Sequence, residues 1–229
     1  FKLGDPAGAI PHLVQAVHAL PDDMSGPLYL ARAYAAENKS DEAIRYYQET
    51  LRLAPDNRDA NYYLGCEWLK TGNYDKAITR LNATTVLAPS WPAAHFPLAV
   101  ALAKAGRTRE AIAEYRELLQ LSPESAAAYN NLAWILATSP EAQIRNGPEA
   151  VRLAQRACEL SSNKETIYVG TLAVAYAAKG DFDNAVETAN EACALATRLG
   201  ETNLLKRNEA LRTQFKKRIP YQETSESAK

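Results

Sequence analysis

Three histidines and three cysteines are the side chains with the readiest claim to metal or nucleophilic chemistry, and their spacing argues against both. His12 and His18 stand six apart, on different faces of a helix, and His95 is remote. Metal ligands on one helix face want a spacing of three or four. All three are expected to be satisfied or solvent-facing. Cys66, Cys158 and Cys193 are too few and too scattered for a disulfide framework. They read as free, mostly buried thiols, although Cys158 and Cys193 hold equivalent places in successive units, where stacking can bring them near each other. The chain has no Walker-type glycine loop, no Gly-x-Ser-x-Gly elbow and no His-Glu-x-x-His. Carboxylates are many, yet no pair is singled out by apolar surroundings. The expectation is no catalytic residue, no cofactor and no metal. Function must then lie in a surface.

Composition narrows what that surface can meet. Lysine and arginine (26) nearly balance aspartate and glutamate (27), for a net charge of −1. A wholly basic, nucleic-acid-binding surface is therefore not expected. Mean hydropathy is −0.35, and no run approaches the roughly 18 apolar residues of a membrane span. Alanine is the most frequent residue and glycine only 10 of 229, which favours closely packed helices over sheet. Three unpaired cysteines lean towards a reducing, cytoplasmic setting, but the compartment is not otherwise legible.

The elements that must carry the surface announce themselves by repetition. Pro21, Pro55, Pro89 and Pro123 are spaced by 34. Leu30, Leu64, Leu98 and Leu132 keep the same phase, each followed by Ala31, Gly65, Ala99 or Ala133. Ala9, Ala43, Ala77 and Ala111 form a third register, and Tyr34, Trp68, Leu102 and Leu136 a fourth. Each unit reads as two helices. In the third, Ala60 to Lys70 carries Tyr63, Leu64, Glu67 and Trp68 at helical spacing, and Thr71-Gly72-Asn73 breaks it. A second helix runs from Tyr74 to Leu87. Gly72, Gly106 and Gly180 follow the first helix of their units, where a left-handed turn is wanted. The proline after each second helix ends it and opens the next unit.

In this pattern the chain resembles the tetratricopeptide repeat family, whose 34-residue motif orders a large residue, Leu-Gly/Ala, Tyr, Ala, a large residue, Ala and Pro. The second unit has Leu30-Ala31, Tyr34, Ala43, Tyr47 and Pro55; the third has Leu64-Gly65, Trp68, Ala77, Leu81 and Pro89; the fourth has Leu98-Ala99, Leu102, Ala111, Tyr115 and Pro123. The resemblance implies an all-α fold, a right-handed superhelical solenoid of about five and a half helical hairpins plus a C-terminal capping helix. A half repeat is expected over 1–23. Repeats follow at 24–57, 58–91, 92–125, 126–164 and 165–199, then a capping helix at 200–219 and a disordered tail at 220–229.

Departures from the period carry their own expectations. The fifth unit lengthens between Ala137 and Pro148. That stretch reads as a tolerated surface insertion or as a rim element that touches a partner. With Asn130 to Trp134, it resembles a variant common near the C-terminus of bacterial repeat proteins, some soluble and some built onto a membrane-bound glycosyltransferase. The last helix, Glu201 to Ile219, sets Leu204, Leu211, Phe215 and Ile219 on one face and six basic residues elsewhere, which suits a solvating cap. At the start, only a second helix is present, without its partner. The native protein is expected to extend upstream, and apolar surface around Leu13, Ala16 and Val17 to invite self-association.

The resemblance also implies which residues bind. In the family, first helices line a concave groove, with positions two before and two after the motif leucine facing into it. Here these are Leu28 and Arg32, Tyr62 and Cys66, Phe96 and Val100, Asn130 and Trp134, Gly170 and Val174, with Lys70 and Lys104 further along. Tyr62 and Phe96 stand where a two-carboxylate clamp would need polar ligands, and no asparagine ladder is present. The implied groove is apolar and aromatic, edged by cations. It suits a protein or peptide segment with hydrophobic anchors and one or two acids. The competing reading is that Tyr62, Phe96 and Trp134 simply pack between helices. A non-catalytic scaffold is the leading expectation; an accessory domain of a larger enzyme and a self-assembling module are the alternatives.

Overall fold

A computed structural model describes residues 5–223, which form twelve α-helices and no strand among the described residues. In chain order they are α1 (Pro6–Ala19), α2 (Ser25–Ala36), α3 (Ser40–Leu53), α4 (Arg58–Lys70), α5 (Tyr74–Leu87), α6 (Pro92–Lys104), α7 (Thr108–Leu121), α8 (Ala126–Thr138), α9 (Gly147–Leu160), α10 (Thr166–Lys179), α11 (Phe182–Leu199) and α12 (Thr202–Lys216). No helix among the described residues is long and apolar enough to cross a membrane.

The breaks fall where backbone chemistry demands them. Asn38, Gly72 and Gly106, 34 residues apart, have φ of 57°, 78° and 75°. That left-handed turn is open to glycine and, among other residues, most readily to asparagine. The prolines between hairpins leave a carbonyl that the next helix satisfies. Asn61 Nδ2 donates to Pro55 O at 3.1 Å, and one period later His95 Nε2 lies 3.1 Å from Pro89 O. A carbonyl only accepts, so Nε2 carries the proton. Both side chains are buried, and His95 is a satisfied core histidine.

The chain divides into two compact units, Phe1–Ala105 and Gly106–Lys229. In the first, α2 pairs with α3 and α4 with α5, while α1 packs on α2 and α6 touches both α5 and α4. Leu30, Leu64 and Leu98 are fully buried, as are Ala31, Ala43, Ala77 and Ala99. The approach between paired helices is close at Gly65, where an added Cβ would lie 2.6 Å from Leu81 Cγ. The half repeat is less open than expected. Leu13 is buried against Leu30 and Ala33, with Val14 and Val17 packed beside it, because positions 13 and 17 turn one face to α2. Ala16 and Leu20 remain exposed, Leu20 by 61%.

In the second unit α8 pairs with α9 and α10 with α11, and α12 packs on α11 and reaches α10. The lengthened connection is built into this unit. Ile144 is buried, and Asn146 N donates to Leu136 O at 2.8 Å. Arg145 Nη1 donates to Ser139 O at 2.9 Å, and Arg109 pairs with Glu141 at 2.6 Å. Gly147 abuts the end of α10, where a Cβ would meet Lys179 N at 2.6 Å.

The C-terminus departs from expectation. The final helix stops at Lys216, so Ile219 leaves the apolar face and is 48% exposed, while Leu211 and Phe215 keep the cap in place. The tail expected from Pro220 onward is instead ordered through Glu223. Gln214 Nε2 donates to Pro220 O at 3.0 Å, and Glu223 N donates to Thr138 O at 2.9 Å. The last-turn carbonyl of α8 at Thr138, a buried residue, lacks a helical partner, and this strap supplies the missing donor. The rest of the expected tail, 224–229, lies outside the described residues, as do residues 1–4.

Candidate peptide-binding faces

The residues implied as groove-lining fall on both units. Those of the first unit are Leu28 and Arg32 on α2, Tyr62, Cys66 and Lys70 on α4, and Phe96, Val100 and Lys104 on α6. Leu28, Arg32, Tyr62, Cys66, Phe96 and Val100 are half-buried; Lys70 and Lys104 are exposed. Half-burial is what a helix face leaves when its sides are packed and its front is not.

Around Tyr62 the side chains converge. Its ring centroid lies 4.7 Å from that of Trp91 and 5.1 Å from that of Tyr63. The Arg32 guanidinium sits 5.4 Å from the Tyr63 ring centre, and that of Arg58 4.7 Å from the Trp91 ring centre, both in reach of cation–π attraction. Burial pushes the Cys66 thiol up to about 11 and the Tyr62 hydroxyl up to about 12, so both stay neutral at ordinary pH. One turn on, Lys70 Nζ donates to Asn38 Oδ1 at 3.2 Å. Glu67 is buried, and its Oε2 accepts no hydrogen bond among the described residues; Lys70 Nζ stands 4.0 Å away. The face thus offers aromatic area, the three cations Arg32, Arg58 and Lys70, and a buried carboxylate oxygen that has an ion pair but no hydrogen bond among the described residues. Trp91, Arg58 and Tyr63 escape the repeat-based reading because they lie outside the two positions it selects. Trp91 itself precedes α6 and is set by Pro92 at that helix's first residue.

In the second unit the same register behaves differently. Val174 is fully buried, and Gly170 is covered by Asn208 of α12, whose Oδ1 would lie 2.8 Å from an added Cβ. Neither presents a surface. Asn130 is 7% exposed, donates through Nδ2 to Asn131 Oδ1 at 3.1 Å, and leaves its Oδ1 buried with no hydrogen-bond partner among the described residues. Trp134 is half-buried and already engaged. Its Nε1 donates to Glu223 Oε1 at 2.7 Å, the Tyr221 ring centre is 5.6 Å away, and the Arg207 guanidinium lies 4.5 Å from its ring centre. Burial lowers the Arg207 pKa first, with the neighbouring Tyr221 and Glu223 opposing that shift. Among the described residues, no three His, Cys, Asp or Glu side chains are grouped to hold a metal ion.

Helical hairpins in 34-residue register, with aromatic and cationic side chains on their first helices, define a repeat protein. The chain belongs to the tetratricopeptide repeat family. One tetratricopeptide repeat model matches residues 1–58, 28–94, 64–126 and 96–165, and a second matches 168–198. No curated protein sequence matches the chain significantly. Among solved structures, YrrB, described as a tetratricopeptide protein with an unusual peptide-binding site, is 17% identical with a TM-score of 0.72, covering 88% of this chain and 100% of its own. MamA from Desulfovibrio magneticus RS-1 is 20% identical with a TM-score of 0.65, covering 71% of this chain and 89% of its own. A thermophilic tetratricopeptide protein from Thermus thermophilus, TTC0263, is 18% identical with a TM-score of 0.58, covering 82% of this chain and 98% of its own. At these identities the likeness shows the fold.

Proposed function

We propose that this protein is a non-catalytic scaffold that binds an extended or helical peptide on the first-helix faces of its N-terminal unit. The observation that carries the reading is the set of side chains on and around α4: half-buried Tyr62 against Trp91, Arg32 over the neighbouring Tyr63 ring, and exposed Lys70 4.0 Å from buried Glu67 Oε2, which accepts no hydrogen bond among the described residues. A hydrophobic anchor would cover Tyr62, Phe96 and Val100. An acidic side chain would meet Arg32, Lys70 or Lys104, and a backbone N–H of the peptide would satisfy Glu67. The peptide-binding site named for YrrB, on the same fold, supports this choice.

The test is an arrayed peptide library probed with the full chain and with its Tyr62→Ala/Phe96→Ala variant, each checked for native helicity. The wild type should select peptides pairing a large apolar residue with Asp or Glu, and the variant should lose most of that selection. Identical selection by both proteins would sink the assignment. A second reading, self-association through the start of the chain, is favoured by Leu20 and Ala16 alone. Light scattering across concentration tests it, and a strict monomer excludes it.

A further inference from the structure

We infer that the surface around Trp134 is a second peptide site, held shut by the protein's own residues Tyr221–Glu223, and that its outside ligand is an extended segment with an aromatic residue two before a carboxylate. The strap uses three kinds of contact that a ligand in trans would use. Its backbone donates from Glu223 N to the α8 carbonyl of Thr138 at 2.9 Å. Its carboxylate accepts from Trp134 Nε1 at 2.7 Å. Its tyrosine lies against the Trp134 ring, whose other neighbour is the Arg207 guanidinium at 4.5 Å. Main-chain pairing gives affinity and the two side chains give selectivity. Aromatic plus acid is the chemistry expected of this register for an outside partner, and here the chain supplies it to itself.

The strap is also poised to leave. Gln222 is exposed, Tyr221 and Glu223 are only half-buried, and Phe215 and Leu211 anchor the cap without it. A short tether holds the strap at an effective concentration in the millimolar range, so it blocks weak ligands and yields to stronger ones. The inference rests on the reading of first-helix faces as ligand-bearing but concerns a face apart from Tyr62.

The probe is a labelled, end-capped peptide copying residues 219–223, Ile-Pro-Tyr-Gln-Glu, titrated by fluorescence anisotropy. The proteins are the full chain, its Tyr221→Ala/Glu223→Ala variant, and that variant carrying Trp134→Phe or, separately, Arg207→Gln. The opened variant should bind the probe about tenfold or more tightly than wild type. Trp134→Phe, which keeps a ring and removes the donor, should weaken it again, and Arg207→Gln guards against a misfolded tryptophan variant. Equal binding by wild type and opened variant, or none by the opened variant, overturns the inference. So would a wild-type dimer that the opening converts to monomer, since the strap would then come from a second copy. Tyr62→Ala/Phe96→Ala should leave this titration unmoved, so failure here and failure of the N-terminal face are read separately.

Discussion

At the scale of single residues, the buried hydroxyls and thiols set a limit at high pH. Burial raises Cys66 and Cys158 to about 11, and Tyr62 and Tyr115 to about 12, from ordinary values of 9.0 and 10.0. The folded protein favours their neutral forms, so their contribution is intact below the unfolded values and is lost as pH rises through the folded ones. Melting followed by circular dichroism should hold steady below pH 9 and then fall steadily to pH 12. Tyr115→Phe, which keeps the ring and removes the hydroxyl that accepts from Asn131 Nδ2, should make the fall above pH 10 shallower. An unchanged slope would show that Tyr115 does not take part. Much at this scale was legible beforehand. The buried leucine and alanine columns repeat at 34, and period alone finds them. Arg207, Tyr221 and Glu223 were not legible as partners of Trp134. Residues 134 and 223 are 89 apart, and no local pattern links a helix face to a polar tail.

At the scale of elements the division is similar. The second helices and the positive-φ turns follow from glycine, asparagine and proline placement, and α5 spans Tyr74–Leu87 as its residues predict. The lengthened connection before α9 reads in the sequence as a tolerated surface insertion or a partner-touching rim, whereas its packing, with Ile144 buried and Asn146 N bonded to Leu136 O, gives it a structural part that neither reading includes. Deleting Pro140 to Asn146 removes buried Ile144 and the partner of the Leu136 carbonyl, so the melting temperature should fall markedly rather than stay constant. Gly147→Ala isolates the contact between elements. Its new methyl must displace the α10 backbone at Lys179, an overpacking cost of about 1–3 kcal/mol that urea denaturation would resolve. Gly65→Ala presses first on the buried Leu81 side chain, with the nearest backbone atom, Ala77 O, at 3.4 Å, and should cost less than a clash with backbone under 3 Å. Equal losses at the two positions would remove the distinction between backbone and side-chain crowding.

Over the whole molecule, stability should be distributed in neighbourhoods rather than held in one core. Each hairpin buries its leucine against adjacent helices, and repeat arrays sum such local terms. Leu64→Ala, at a fully buried position, should cost about 2–5 kcal/mol. Amide hydrogen exchange should place the lost protection first in α4 and α5, and Leu132→Ala should place it in α8 and α9. Uniform loss along the chain in either variant would contradict a modular array. The strap adds a consequence for anyone handling the protein. The Glu223 carboxylate holds Trp134 Nε1 and its backbone N–H holds Thr138 O, so a protein cut before it loses both bonds at once. A fragment ending at Ile219 would carry a bare indole and an unanswered carbonyl on α8, and belongs beside the longer chain in any comparison of binding.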